Sequence, residues 1–224
     1  MISIYILLIE TIICLGLMYI LYKLNKIEGL YYYTIIALIT SIIGSFKSIE
    51  IYNATINLGI IPFSSLFIIS NILTQKNGLD ENKKITKILI LTLITSFIIL
   101  NITTLFKCNS LNILNNNTFN NMLFKNTRLF LTSALIIYLI ILNSKLYYNL
   151  KKEQNQIWIS SVLSSIIIQF ITTITYTILL YSLELNILKL VETMVIRYII
   201  GIFASIAGTI IIYIISDIKE NRKW

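Results

Sequence analysis

Asn71 and Gln75 stand four residues apart at the end of an otherwise apolar run, GIIPFSSLFIISNILTQKNG, from Gly59 to Gly78. That spacing is about one helical turn, so both amides share one helix face. A side-chain amide in hydrocarbon costs free energy unless it is hydrogen-bonded, so each must face a neighbouring helix, trapped water or a bound solute. A second polar line, Ser161, Ser165, Gln169, Thr172, Thr173 and Tyr176, recurs at helical spacing between faces of Ile, Leu, Val and Phe. It offers hydroxyls, an amide and a phenol ring along one helix. Two such lines inside a bundle suit a polar, planar, uncharged solute, which needs hydrogen bonds at its edges and an aromatic surface for stacking. The rival reading is interhelical glue, in which each amide only ties helices together at about 1 kcal/mol per bond.

Other residues also break the apolar pattern. Asn143 closes a fifth apolar run, with Ser133 and Tyr138 upstream; Asn near a helix end ordinarily caps it or snorkels. Glu10 lies well inside the first run, where an ionisable group is expensive and becomes a functional hypothesis by default. Arg197 opens the last run and is placed by the sequence at either an internal cavity or the aqueous rim. Beyond it, Gly201 with Ser205 and Ala204 with Gly208 form small-xxx-small pairs, the mark of close helix packing.

Several chemistries lack their raw material. The chain has no histidine, and its two cysteines, Cys14 and Cys108, stand far apart without metal-ligand spacing. Cys14 reads as a small buried apolar residue. With neither a histidine nor a paired intramembrane carboxylate for acid–base work, no enzyme, cofactor or metal site is expected. No ATP-binding motif is present, so any use of ATP would come through an energising partner.

These residues sit in a membrane protein. The 224 residues are 57% hydrophobic and only 12% charged, with one proline and seven glycines, where a soluble domain carries about 25% charge. The mean hydropathy is +0.83. The expected fold is all-α, a polytopic helical bundle forming a single integral membrane domain over 1–224. With about 20 apolar residues per crossing, spans fall near 2–22, 30–46, 57–75, 87–106, 128–146, 158–181 and 195–216, seven in all. The first, lacking a charged leader and a small-residue cleavage site, reads as a retained helix.

The net charge of +8 sits in short segments between apolar runs, which suits topology against anionic lipid and not nucleic acid. Loops after spans one, three and five, with the tail, hold twelve Lys and Arg against six on the opposite side. That count predicts a multi-pass cell-membrane protein with its N-terminus outside and its C-terminus in the cytoplasm. The Asn-rich stretch Asn109 to Asn121 reads as a flexible connector.

The order of segments resembles the queuosine precursor transporter family, a vitamin-uptake type of membrane protein, over residues 20–215. The run YKLNKIEGLYYY is similar to the start of that family's first common helix. SIEIYNATINLGIIPFSSLFIISNILTQKNG resembles a block in which a glycine-led apolar helix ends Asp-Ile-Leu-Thr-Glu-x-Tyr-Gly. RLFLTSALIIYLIILNSKLYYNLKK resembles a helix that starts with Arg and ends Asp-Val-x-Ile-Phe before a basic loop. WISSVLSSIIIQFITTITYTILLY resembles Trp-Leu-Arg-Asn-x-x-Ser-Thr-x-x-x-Gln-x-x-Asp-Thr-x-x-Phe. The helix 2–22 is then additional to the family pattern.

The resemblance implies an importer of a small planar heterocycle, a 7-deazaguanine-like base, with Asn71 and Gln75 reading one edge and Gln169 and Thr173 the other. Tyr176 would supply a ring surface and Arg197 would balance a polar substituent. Departures fall on the same positions. Asn71, Gln75, Asn143 and Thr172 stand where the family has carboxylates, Ser160 and Ser161 replace Arg-Asn, and Arg197 replaces Lys. A carboxylate accepts two adjacent N–H donors; an amide opposes the second with its own NH2. Either the substrate differs, affinity falls, or transport is lost and a membrane scaffold or accessory subunit remains. Convergence of Asn71, Gln75, Gln169 and Tyr176 on one cavity big enough for a bicyclic base would favour transport; pairing with neighbouring helices that leaves no void would favour the scaffold. The sequence leaves homo-oligomerisation and the coupling ion open.

Overall fold

A computed structural model describes residues 2–103, 116–154 and 156–217. Its first element, α1 (Ile2–Ser45), has 44 residues and breaks at Lys26, where φ is 50° and ψ is −126°. Unbroken, it would reach about 66 Å, roughly twice the hydrocarbon core. The break instead folds the chain back on itself. Met18 and Tyr22 before it share one core cluster with Leu30 and Tyr33 after it, and a Cβ at Gly29 would stand 1.9 Å from the Leu21 carbonyl oxygen. Only glycine permits that approach.

A short antiparallel hairpin follows, β1 (Ser48–Ile51) and β2 (Ala54–Asn57), with Ser48 opposite Asn57. Its turn residues Tyr52 and Asn53 have φ of 51° and 66°, the left-handed pair that a two-residue hairpin with the native strand twist requires. The apolar pattern gives no strand here. The alternation of SIEI and ATIN around a Tyr-Asn pair is the signal that marks it.

The remaining elements are α2 (Ile60–Asn77), α3 (Asp80–Thr103), α4 (Asn116–Gln154), α5 (Ile157–Tyr181) and α6 (Ile187–Asp217). α2 is the centre of the bundle, buried without interruption from Ile60 to Thr74. Serines, Asn71 and threonine lie around it on several faces, so no orientation would hide them all from lipid. Burial between other helices is what satisfies such a helix. The outer helices carry the opposite pattern, with Ile12, Leu24, Leu91, Ile99 and Ile210 exposed.

The expected all-α membrane bundle is therefore the observed architecture, with a hairpin added. By length and composition five helices are able to cross a membrane, against seven expected crossings. Two differences account for this: the expected spans 2–22 and 30–46 are halves of the single broken α1, and the polar content of α2 keeps it outside the five. Of the expected connector 109–121, residues 116–121 begin α4 and the rest lie outside the described residues.

Candidate substrate site

The polar line of α5 is buried along its whole length, from Ser161 through Ser165, Gln169, Thr172 and Thr173 to Tyr176. α5 and α2 run past one another so that this line meets α2 in two places. At the first, Asn71 donates to Ser161 Oγ at 2.9 Å, with Ser164 and Ser165 at 3.4 and 3.5 Å. Its carbonyl oxygen accepts from Asn143 Nδ2 at 2.8 Å. The same Asn143 amide reaches Ser70 Oγ at 3.1 Å and the Phe67 carbonyl at 3.2 Å. α2, α4 and α5 are thus joined through two amides.

Asn143 is fully buried, and α4 continues past it to Gln154. The helix-end reading of this residue is overturned: α4 outruns its apolar portion by more than two turns, so Asn143 lies in the helix interior. Gln75, one turn beyond Asn71, accepts from the Tyr147 hydroxyl of α4 at 2.7 Å.

The second meeting forms a cavity of about 20 Å³ lined by Gly59, Phe63 and Ser64 of the α2 end, by Gln169, Thr172, Thr173 and Tyr176 of α5, and by Arg197 of α6. Arg197 stands at an internal cavity and not at the rim, 6% exposed. Its guanidinium carbon lies 4.0 Å from the Tyr176 ring centroid, and it donates to Asn57 Oδ1. Asn57 in turn donates through Nδ2 to the Tyr176 hydroxyl. Ser45 Oγ is 3.0 Å from the same hydroxyl and already donates to the Ser41 carbonyl, so Tyr176 is the donor to Ser45. The end of α1, the end of β2, α5 and α6 are latched together around one phenol.

The eight sequence-derived residues therefore fall into two groups. Gln169, Thr172, Thr173, Tyr176 and Arg197 share the cavity; Asn71, Asn143 and Gln75 do not line it. Asn71 is seven residues from Ser64, about 10 Å along α2, with buried Phe67 and Ile68 between them. Arg197 covers a face of the Tyr176 ring, leaving Phe63 as the other aromatic wall of the cavity. Residues that sequence reasoning missed are Asn57, Ser45, Ser64 and Tyr147. Asn57 had a signal, an amide two residues ahead of a glycine in an apolar run; Ser45 and Tyr147 had none, since their partners are distant in sequence.

Packing of α6 on this site depends on the small residues noted in its sequence. A Cβ at Gly201 would lie 2.7 Å from Gln169 Oε1, and one at Gly208 would lie 2.1 Å from Ile68 Cδ1. Glu10 is half-buried on α1 and takes no part in the cavity.

The fold and its buried polar seam define a polytopic helical membrane bundle. Residues 57–215 match the family described as "Putative vitamin uptake transporter", and the chain belongs to that family. The match begins at Asn57, so α1 and β1 precede it. No curated protein and no solved structure matches the chain. Membership makes it a multi-pass membrane protein of the small-molecule uptake class, in contact with lipid.

Proposed function

We propose that the chain imports a small planar heterocycle of the queuosine-precursor type, a 7-deazaguanine or related nucleobase-like compound, through the cavity between α2, α5 and α6. The observation that carries this reading is the set of polar side chains, Gln169, Thr172, Thr173, Tyr176 and Arg197, gathered with Phe63 around one interior space. Hydroxyls and an amide address the edge of a flat solute, and the Phe63 ring its face.

A space of about 20 Å³ is far below the roughly 300 Å³ of a ligand pocket and does not admit a bicyclic base, so on the transport reading it is the closed form of the site. Import then requires α5 and α6 to part from α2. The Tyr176, Asn57 and Ser45 latch closes the hairpin end, and the Asn71 and Asn143 pair closes the other. Alternate release of the two would expose the cavity to each side in turn. With the orientation read from the Lys and Arg distribution, the hairpin end faces outward and the Asn71 end faces the cytoplasm.

A second reading has its own support. Asn143 donates to Asn71, Ser70 and the Phe67 carbonyl, and Asn71 donates to Ser161, as amides that hold a scaffold would, although Asn143 Oδ1 has no partner. Uptake of a labelled 7-deazaguanine into cells lacking their own importer separates the two. Transport predicts accumulation that Gln169→Leu and Thr173→Val abolish while the protein stays in the membrane. No accumulation with the natural chain favours the scaffold.

A further inference from the structure

Arg197 and Gln169 are 6% and 4% exposed, both line the cavity, and each carries a buried donor without a partner, Nε of Arg197 and Nε2 of Gln169. Native interiors seldom leave such donors unused, and those that remain call for an explanation. The charge of Arg197 is also unanswered. Its contacts are an amide oxygen and a ring face, no carboxylate lines the cavity, and none pairs with it among the described residues. A buried cation with only dipolar partners is unfavourable until an anion joins it.

We propose that the solute presents a carboxylate to Arg197 and Gln169, so that the site selects planar heterocyclic acids. This rests on the transport reading and narrows its substrate. A guanidinium edge and an amide NH2 are donors only, and the bonds they make to a carboxylate are charge-assisted. The hydroxyls of Ser64 and Thr173 turn to donate as well, while Thr172 spends its proton on the Ile168 carbonyl at 2.7 Å. A cationic substituent would face Arg197 at close range and be rejected. A neutral acceptor would bond without cancelling the charge.

Three 7-deazaguanines differing at one substituent test this: the 7-carboxy acid, the neutral 7-cyano compound and the cationic 7-aminomethyl compound. Nicotinate and nicotinamide repeat the comparison on another ring. Binding is read by melting shift on purified protein, and uptake by proteoliposomes. The natural chain should bind each acid at least about tenfold tighter than its neutral partner. Arg197→Gln should bring that ratio to near one, Arg197→Lys should keep most of it, and Gln169→Glu, which sets a carboxylate beside Arg197, should erase it even if Arg197→Gln misfolds. Equal binding of acid and neutral compound, tighter binding of the amine, or no binding of either acid overturns the proposal. Acid binding without uptake leaves it standing and removes the transport reading; uptake of the cyano compound without acid preference does the reverse.

Discussion

Gln169 of α5 lies directly against Gly201 of α6, so that a single added methyl would come within 2.7 Å of its amide oxygen. The contact sets the position of the Gln169 amide at the cavity, because no side chain at residue 201 competes for the space. Helix packing and site geometry are here one feature.

Gly201→Ala should therefore act on function more than on folding. The obstructed atom is the far end of a side chain that rotates, so the unfolding free energy should change by less than about 1 kcal/mol. Uptake should fall by about tenfold or more as Gln169 turns out of the cavity. A variant with unchanged melting and full uptake would show that the Gln169 position does not matter.

Asn71 and Asn143 should behave as a coupled pair. Asn143→Ala leaves the Asn71 carbonyl without its donor, and Asn71→Ala removes one of the three acceptors of the Asn143 amide, which keeps Ser70 and the Phe67 carbonyl; each should cost about 1 to 2 kcal/mol. The double variant should cost less than the sum, with a coupling of about 0.5 to 2 kcal/mol. Unfolding of the four proteins in detergent measures it, and strict additivity would mean that the 2.8 Å bond contributes nothing.

Loss of the latch should open the hairpin end. Tyr176→Phe keeps the ring beneath Arg197 and removes the hydroxyl shared by Asn57 and Ser45. A cysteine at Thr173, in a background with Cys14 and Cys108 replaced by serine, should then react about tenfold faster with a membrane-impermeant thiol reagent than it does with Tyr176 present, the change expected from losing about 1.4 kcal/mol of closing free energy. Equal labelling rates would place the barrier elsewhere.

The break in α1 should tolerate, and gain from, glycine. Lys26 holds φ at 50° and ψ at −126°, a conformation costing a side-chain-bearing residue of order 1 kcal/mol or more. Lys26→Gly should raise the melting temperature, and Lys26→Val should lower it. If both variants melt with the natural chain, the break is not strained.

Much of this protein was legible in its residues alone. Composition and run length determined a helical membrane bundle, because about 20 apolar residues in a row have few other stable destinations. The polar lines of α2 and α5 were visible for the same reason: a helix has a fixed period, so spacing states which side chains share a face. Even the small residues of α6 announced close packing before Gln169 and Ile68 were known as what they admit.

Only the tertiary structure decided which polar groups meet. Asn71 and Gln75 look from sequence like one face of a binding site, yet their partners are Ser161, Asn143 and Tyr147, and the cavity lies two turns away with Arg197 and Asn57 at it. Asn57 and Arg197 are 140 residues apart in the chain. Helical periodicity fixes the direction of a side chain about its own axis, but the rotation and depth of one helix against another are set by packing. Whether a buried amide turns to a protein partner or to an interior space is decided by that second set of coordinates.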